Sequence, residues 1–451
     1  MNRFSLTLSR GIARITDSAL GPYQTAVVRI GFATTWLLFL LREFPHRQEL
    51  YGPDGPWSWS LARQLTSDNG AFTVLMWARG QGWFELVYGV AVVSSALLLV
   101  GWRTRTMSVL FMVGVLSLQN RSVFVGDGGD NVLHLMSIYL VFTRCGQVWS
   151  LDARRERRER AVRARGGRPA DATGVLLWSV LGVLLVMVTA AGKLADGSEL
   201  FVPALLWTVW LAHGLWWAAG RRERDGNARV LLDVVTDLMH NAAVLVIMAE
   251  ACLIYATAGW YKIQGSRWQD GTAVYYPLHL DYFSPWPALA DLLSSYGAAV
   301  MIITYGTVIV QVAFPFTLFN RRVKNVLLVV MMTEHAVIAV VLGLPFFSLA
   351  MIAADAVFLP TSFLQGVGRV AVRARARVLP GGGRPVPGPR AEPDGTAAGT
   401  TGPPAADARA GTPAVADADA DAEAGAGTGA DAGQRPGAGR PEVSGEAASR
   451  G

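Results

Sequence analysis

Lysine and cysteine are nearly missing from this chain. Its 451 residues hold two cysteines, Cys145 and Cys252, and three lysines, Lys193, Lys262 and Lys324, while arginine supplies every other basic side chain. Two cysteines in separate apolar segments make no disulfide framework and no metal-ligand spacing, so no metal site is expected. They read as small buried hydrophobes. Charge is also scarce: 16% of the residues are charged, against about 25% in an ordinary soluble domain. There is no phosphate-cradling glycine loop, no nucleophile elbow and no HExxH, which leaves ATP-driven transport and zinc proteolysis without support. Met1–Leu20 is basic at Arg3, Arg10 and Arg14 but lacks the apolar core and cleavage site of a secretory signal.

What the chain has instead is apolar length. Hydrophobic residues make up 52% of it and 15 residues are Trp; the mean hydropathy is +0.32. Apolar runs cover roughly 26–42, 83–101, 107–124, 131–148, 174–192, 200–219, 238–260, 298–319, 325–343 and 346–362. They are continuous rather than alternating, which predicts helices, not strands. Hydrocarbon offers no water to backbone N–H and C=O groups, so only helices or closed barrels span it. The expectation is an all-α integral membrane protein, a multi-span bundle of about eight to ten helices. Residues 1–20 form an N-terminal cytoplasmic segment, 21–362 the transmembrane domain, and 363–451 a basic stretch followed by a low-complexity, disordered tail.

The loops carry alternating charge. Arginines at 103 and 105, at 154–168, at 221–229, at 321–322 and at 369–377 fall in every second loop. The intervening loops at 43–82, 125–130, 193–199 and 261–297 are mixed or acidic. Cytoplasmic loops are enriched in Lys and Arg, which puts both termini of this multi-pass protein on the cytoplasmic side of the cell membrane. The arginine run at 154–168 is accounted for by topology, and nucleic acid is not an expected partner. Membrane lipid is.

Chemistry is expected in the outward loops and the span ends beside them. These carry Tyr51-Gly-Pro-Asp-Gly-Pro-Trp57, Gly126-Asp-Gly-Gly-Asp-Asn131 and Gly259-Trp-Tyr-Lys-Ile-Gln-Gly-Ser-Arg-Trp-Gln-Asp-Gly271. Lys262 stands out in an arginine-dominated chain, because desolvation turns a lysine into a base more readily than any other cation. Asn131, His134 beyond it, and His335 beside Glu334 complete the candidate catalytic set. Ionisable groups inside spans face the bundle interior and mark sites by default, although each alone is equally an interhelical hydrogen bond. Glu85, His240, Glu250 and Asp355 are further buried candidates. His279 and Asp281 belong to the outer loop, and His213 lies near the basic side.

Taken together these blocks resemble the HTTM family, the horizontally transferred transmembrane module shared with vitamin K-dependent gamma-carboxylase. The resemblance covers roughly residues 20–362. It rests on Tyr51-Gly-Pro-Asp-Gly, on Asp130-Asn131 running to Trp149-Ser-Leu-Asp152, on Ile254-Tyr255 with Ala258-Gly259-x-x-Lys262 and Trp268-x-Asp270-Gly271, and on His335 with Phe347-Ser-Leu-x-Met351 and Leu359-Pro360. It implies a membrane enzyme in which Lys262 occupies the position of the base that deprotonates a quinol, such as vitamin K hydroquinone or menaquinol. Val132 follows Asn131 where the carboxylase has histidine, and the low-complexity tail stands where the carboxylase has its peptide-gripping domain. Both departures count against glutamate carboxylation and leave quinol chemistry in place. The alternative is a non-enzymatic membrane factor for transport, or for maturing or exporting a secreted peptide.

Overall fold

A computed structural model describes residues 16, 18–167, 171–194, 200–222 and 227–378. The helices begin and end on local chemistry. Helix α1 (Pro22–Glu43) opens on a proline, whose missing N–H is no loss in a first turn. Helix α2 (Gln81–Val100) ends on Gly101 at φ 73, the left-handed cap. Then come α3 (Thr104–Arg121) and α4 (Gly128–Phe142). Next is α5 (Leu151–Ala164), capped by Ser150, whose Oγ accepts from the Ala153 N–H at 2.9 Å. Helices α6 (Ala172–Ala190), α7 (Phe201–Arg222) and α8 (Asn227–Gln264) follow. A loop of short helices leads to α9 (Gly297–Ala313), α10 (Arg321–Val341), α11 (Pro345–Asp355) and α12 (Thr361–Val378). The all-helical architecture is as expected, with no strand among the described residues.

The core forms where α1 packs on α2 and α11, α2 on α3, and α3 on α4, with α10 closing against α11. Phe32, Trp36, Tyr88, Phe111, Met112 and Met136 fill it. Helices α6 and α7 are different: their side chains are mostly exposed. They hold each other through stacked Trp178 and Trp210, ring centroids 4.4 Å apart, each indole N–H donating to the other's carbonyl at 3.0 Å. Apolar side chains directed outward suit a helix pair bathed in lipid.

Among the described residues, seven helices are long and apolar enough to cross a membrane. The count is eight if the bent pair Pro345–Phe358 and Thr361–Arg375 is one span. The shortfall from ten apolar runs lies at α3, α4 and α11. Helix α4 has 15 residues and α11 has 11, short of the about 20 needed to span hydrocarbon. Helix α3 is interrupted by polar groups that the protein satisfies internally: Ser117 O accepts from Thr73 Oγ1 at 2.9 Å and Asn120 Nδ2 donates to Phe72 O at 2.9 Å.

Two departures from the sequence expectation concern basic stretches. Residues 151–164, read as loop, are helical because Arg160 and Arg163 pair with Glu156 and Glu159 four positions earlier. Residues 361–378, read as the start of the tail, are helix α12. The remaining tail from 379 and residues 1–15 lie outside the described residues.

Hydrogen bonds gather the helix ends into two layers. In the first, Arg29 Nη1 donates to Leu98 O and Nη2 to Trp149 O, each at 2.8 Å. Gln24 Nε2 donates to Leu359 O at 2.8 Å, and Asp152 accepts from the Thr104 N–H at 2.7 Å. Arg103 pairs with Asp171 there. In the second layer, Arg121 Nη2 donates to Gly52 O at 2.7 Å and Trp57 O at 2.9 Å, and Arg47 pairs with Glu85 at 3.0 Å. Arg29, inside the first apolar run, is fully buried, because the free carbonyls ending α2 offer the guanidinium a better partner than water.

Two tests follow from the first layer. A Cβ on Gly101 would collide with the Arg29 guanidinium and Ser150, at a left-handed φ. Gly101→Ala is therefore expected to destabilise by about 1–3 kcal/mol in denaturant unfolding from detergent. The hydrogen bond from Arg103 holds the Asp171 carboxyl down at about 2, against an ordinary 3.8. Its pKa is lower folded than unfolded, so its stabilisation is full above about pH 4 and fades as pH falls toward about 2. The stability gap between wild type and Asp171→Asn should close over that window, and a gap independent of pH would contradict the assignment.

Candidate functional site

Helix α8 carries Tyr255, Gly259 and Lys262 at spacings of four and three, which places them on one stripe. Gly259 sits in that stripe because α9 packs there: a Cβ would stand 2.6 Å from Val312 Cγ2. This close approach brings Gln311 of α9 to the lysine. Lys262 Nζ donates to Gln311 Oε1 at 2.7 Å, and Gln311 Nε2 donates to Glu334 Oε1 of α10 at 2.8 Å. Trp268 lies over the ammonium, its ring centroid 5.2 Å away. The amide stands between amine and carboxylate, so they are linked without a direct ion pair.

Two helical turns below, about 10 Å along α8, lies a second cluster. The Tyr255 hydroxyl meets His335 Nε2 at 3.0 Å and donates to Asp355 Oδ2 at 2.9 Å. His335 is 3% exposed and Asp355 0%. With the hydroxyl proton on Asp355, the phenol oxygen accepts from His335 Nε2–H, which leaves Nδ1 as a bare acceptor. His335 Nδ1, Asp355 Oδ1 and the buried Ser348 Oγ have no partner. Buried polar atoms are seldom left unpaired, so these three retain capacity for a further hydrogen bond. Aromatic rings wall it: Phe347 stands edge-on to His335 at 5.5 Å and Phe314 to Tyr255 at 5.9 Å.

The other two members of the candidate set sit at the start of α4. Asp127 and Asp130 form a capping box there: Asp127 Oδ1 accepts from the Gly129 N–H at 2.7 Å, and Asp130 Oδ2 from the Asp127 N–H at 2.8 Å. Gln119 Nε2 donates to Asp130 O at 3.1 Å, leaving its Oε1 to accept from His134 Nδ1 at 3.1 Å. His134 is thereby half-buried and oriented, while Asn131 is exposed. Phe347 connects the two regions. Its backbone crosses so close to Gly129 that a Cβ there would lie 2.6 Å from the Phe347 Cα, and its ring touches His335. Lys262 and His335 are thus carried by neighbouring helices of the bundle, and α4, which bears Asn131 and His134, packs on α11 with Gly129 against Phe347. A small cleft opens beside the capping box, lined by Trp36, Phe39, Asp127, Asp130 and Phe346.

Three of the remaining candidates, His240, Glu85 and His279, have structural partners. His240 Nε2 meets Leu20 O at 2.8 Å and its Nδ1 accepts from the Arg144 N–H at 2.7 Å, so it is a satisfied neutral tautomer. Glu85 pairs with Arg47. His279 stacks on Tyr275 at 4.0 Å in the outer loop. No group of three His, Cys, Asp or Glu side chains among the described residues is placed to hold a metal. Gln311 escaped the sequence reading. Its only signal was a lone amide within an apolar span, and polarity there is better evidence than charge for a hidden partner.

Tyr255 holds this cluster together. Tyr255→Phe leaves both His335 Nε2 and Asp355 Oδ2 unpaired and is expected to cost about 1–3 kcal/mol in denaturant unfolding; a change within about 0.5 kcal/mol would show that the hydroxyl is not holding them. No family model, curated protein or solved structure matches the chain, so its function rests on the site's own chemistry.

Proposed function

We propose that this multi-span membrane protein is an enzyme of the HTTM kind that uses Lys262 as a base on a lipid-soluble quinol. The observation carrying this reading is the partner of Lys262, an amide oxygen and not a carboxylate. An amide oxygen accepts from –NH2 as well as from –NH3⁺, so the lysine keeps a hydrogen-bond partner when it loses a proton. A carboxylate in its place would lock the charged form. Glu334, one amide further on, balances the field without claiming the proton.

Support for a quinol comes from the side chains on the same stretch of α8, α10 and α11. Unpartnered His335 Nδ1 and Asp355 Oδ1 are suited to hydroxyl groups, and Phe314 and Phe347 to a flat ring. Bound there, a quinol supplies an acidic hydroxyl and the redox chemistry that side chains lack. The protein's part is to hold a neutral amine and to keep water out. Tyr255, hydrogen-bonded to both His335 and Asp355, holds the two groups that would meet the quinol hydroxyls. Asn131 and His134 border the same region from α4 and orient what enters beside Phe347.

The sidedness belongs to the same proposal. The layer containing Arg103 and Asp152 also carries the arginines of α5 and the start of α12. The opposite layer contains Asp127 and Asp130. The positive-inside tendency assigns the first to the cytoplasm. A secreted peptide remains a partner only under the non-enzymatic alternative.

The test is quinol consumption and epoxide formation in membranes holding wild type, Lys262→Ala and Lys262→Arg. Both variants are expected to lose about 10²–10⁴-fold, since Arg cannot give up its proton. Equal turnover in wild type and Lys262→Ala would remove the enzyme. Full function in Lys262→Arg would favour a charge role, and with it a transport or peptide-maturation factor.

A further inference from the structure

Helix α12 leaves the bundle at a sharp angle. The axis turns by 115° between Pro345–Phe358 and Thr361–Arg375. The turn is held from α1, where Gln24 Nε2 donates to Leu359 O at 2.8 Å and to Thr361 Oγ1 at 3.0 Å. Helix α12 therefore departs across the layer of helix ends rather than along the spans.

Its sequence divides into three stripes. Leu364 and Gly368, four apart, face the body; Leu364 is buried, and a Cβ on Gly368 would stand 3.0 Å from the Trp149 ring. Arg369, Arg373 and Arg377, again four apart, make a second stripe and are all exposed. Phe363, Val367 and Val370 make a third, about 90° around the helix from the arginines. That third stripe touches nothing that covers it: the three side chains are 55%, 46% and 63% exposed. The helix contains no acidic residue.

Helix α5, on the same layer, shows the contrast. It is richer in arginine, but Glu156 and Glu159 pair with Arg160 and Arg163, and it has no apolar stripe. Solvation and internal pairing account for α5. They do not account for an acid-free helix that aims phenylalanine and valine away from the body.

We propose that α12 is an interfacial helix that docks on the anionic surface of the bilayer containing the spans. Phe363, Val367 and Val370 enter the acyl boundary, and Arg369, Arg373 and Arg377 hold lipid phosphates. The occupant follows from charge and from continuity. An apolar stripe flanked by unbalanced arginines is complementary to acyl chains beneath negative headgroups. The start of α12 is also tied by Gln24 to the first turn of the spanning helix α1, so the bilayer surface is already at its start. Guanidinium groups bind phosphate bidentately, which adds headgroup contact to the apolar insertion.

The test uses the full chain, with Cys252→Ser, reconstituted into vesicles. One fluorescent probe is placed at Val367→Cys and another at Arg373→Cys, each in its own sample. In phosphatidylcholine vesicles containing phosphatidylglycerol, brominated lipid is expected to quench the probe at 367 and aqueous iodide the probe at 373. Phosphatidylcholine alone is expected to release the helix, reversing the pattern at 367. Arg369→Gln in the phosphatidylglycerol vesicles should shift its docked-to-free ratio about fivefold. Equal iodide quenching at 367 and 373 in anionic vesicles would overturn the proposal. So would lipid quenching at both positions, which would make α12 part of a span, or quenching at 367 that ignores lipid charge.

Discussion

An apolar environment leaves the carbonyl groups at a helix end with no water, and the structure depends on how Arg29 answers that constraint. One buried guanidinium donates to Leu98 and Leu99 at the end of α2 and to Trp149 after α4. Three segments distant in sequence are joined by one side chain. Arg121 repeats the device in the opposite layer, at Gly52 and Trp57. The donors are arginines because a planar, permanently charged fork reaches several carbonyls at once. Each lies at the ends of helices, where the dipole favours a cation at the C-terminus. With both layers pinned, α1 to α4 and α11 are held in one packing, and the interior can tolerate polar groups.

That tolerance is what makes a site thinkable. Between the layers, α8, α9, α10 and α11 bring together an amine, an amide, a carboxylate, a phenol, an imidazole and a second carboxylate. Most are arranged in hydrogen-bonded chains rather than direct ion pairs. Dry ion pairs cost more desolvation than they return unless their geometry is excellent. A chain through Gln311 spreads charge while keeping amine and carboxylate apart. His335, Asp355 and Ser348 each keep a buried polar atom without a partner, as do Arg29, Arg121 and several other interior side chains; what sets these three apart is that His335 and Asp355 share the Tyr255 hydroxyl.

Much of this was legible in the residues, and the reasons are physical. Apolar run length reports helices directly, because hydrocarbon excludes every other open structure. Lys262, His335 and Asp355 could be singled out because an ionisable group in such a run is costly. The helicity of residues 151–164 and 361–378 was not legible as membrane pattern. It depends on Arg–Glu spacing in one case and, in the other, on a small apolar stripe broken by glycine. The role of Arg29 was hidden as well. Snorkelling and carbonyl capping leave the same sequence mark, and only the position of the neighbouring helix end separates them.

The sequence by itself determined the class: apolar segments set against arginine-rich ones, with two of its three lysines inside or at the end of membrane helices. It did so because solvent exclusion acts on composition and length, which are local. Tertiary structure alone decided who meets whom. It set Gln311 between Lys262 and Glu334, Tyr255 between His335 and Asp355, and Phe347 between His335 and Gly129. Such pairings depend on the axial offset and rotation of packed helices. Close approaches at Gly259 and Gly129 set those offsets, and residue spacing within any single helix does not carry them.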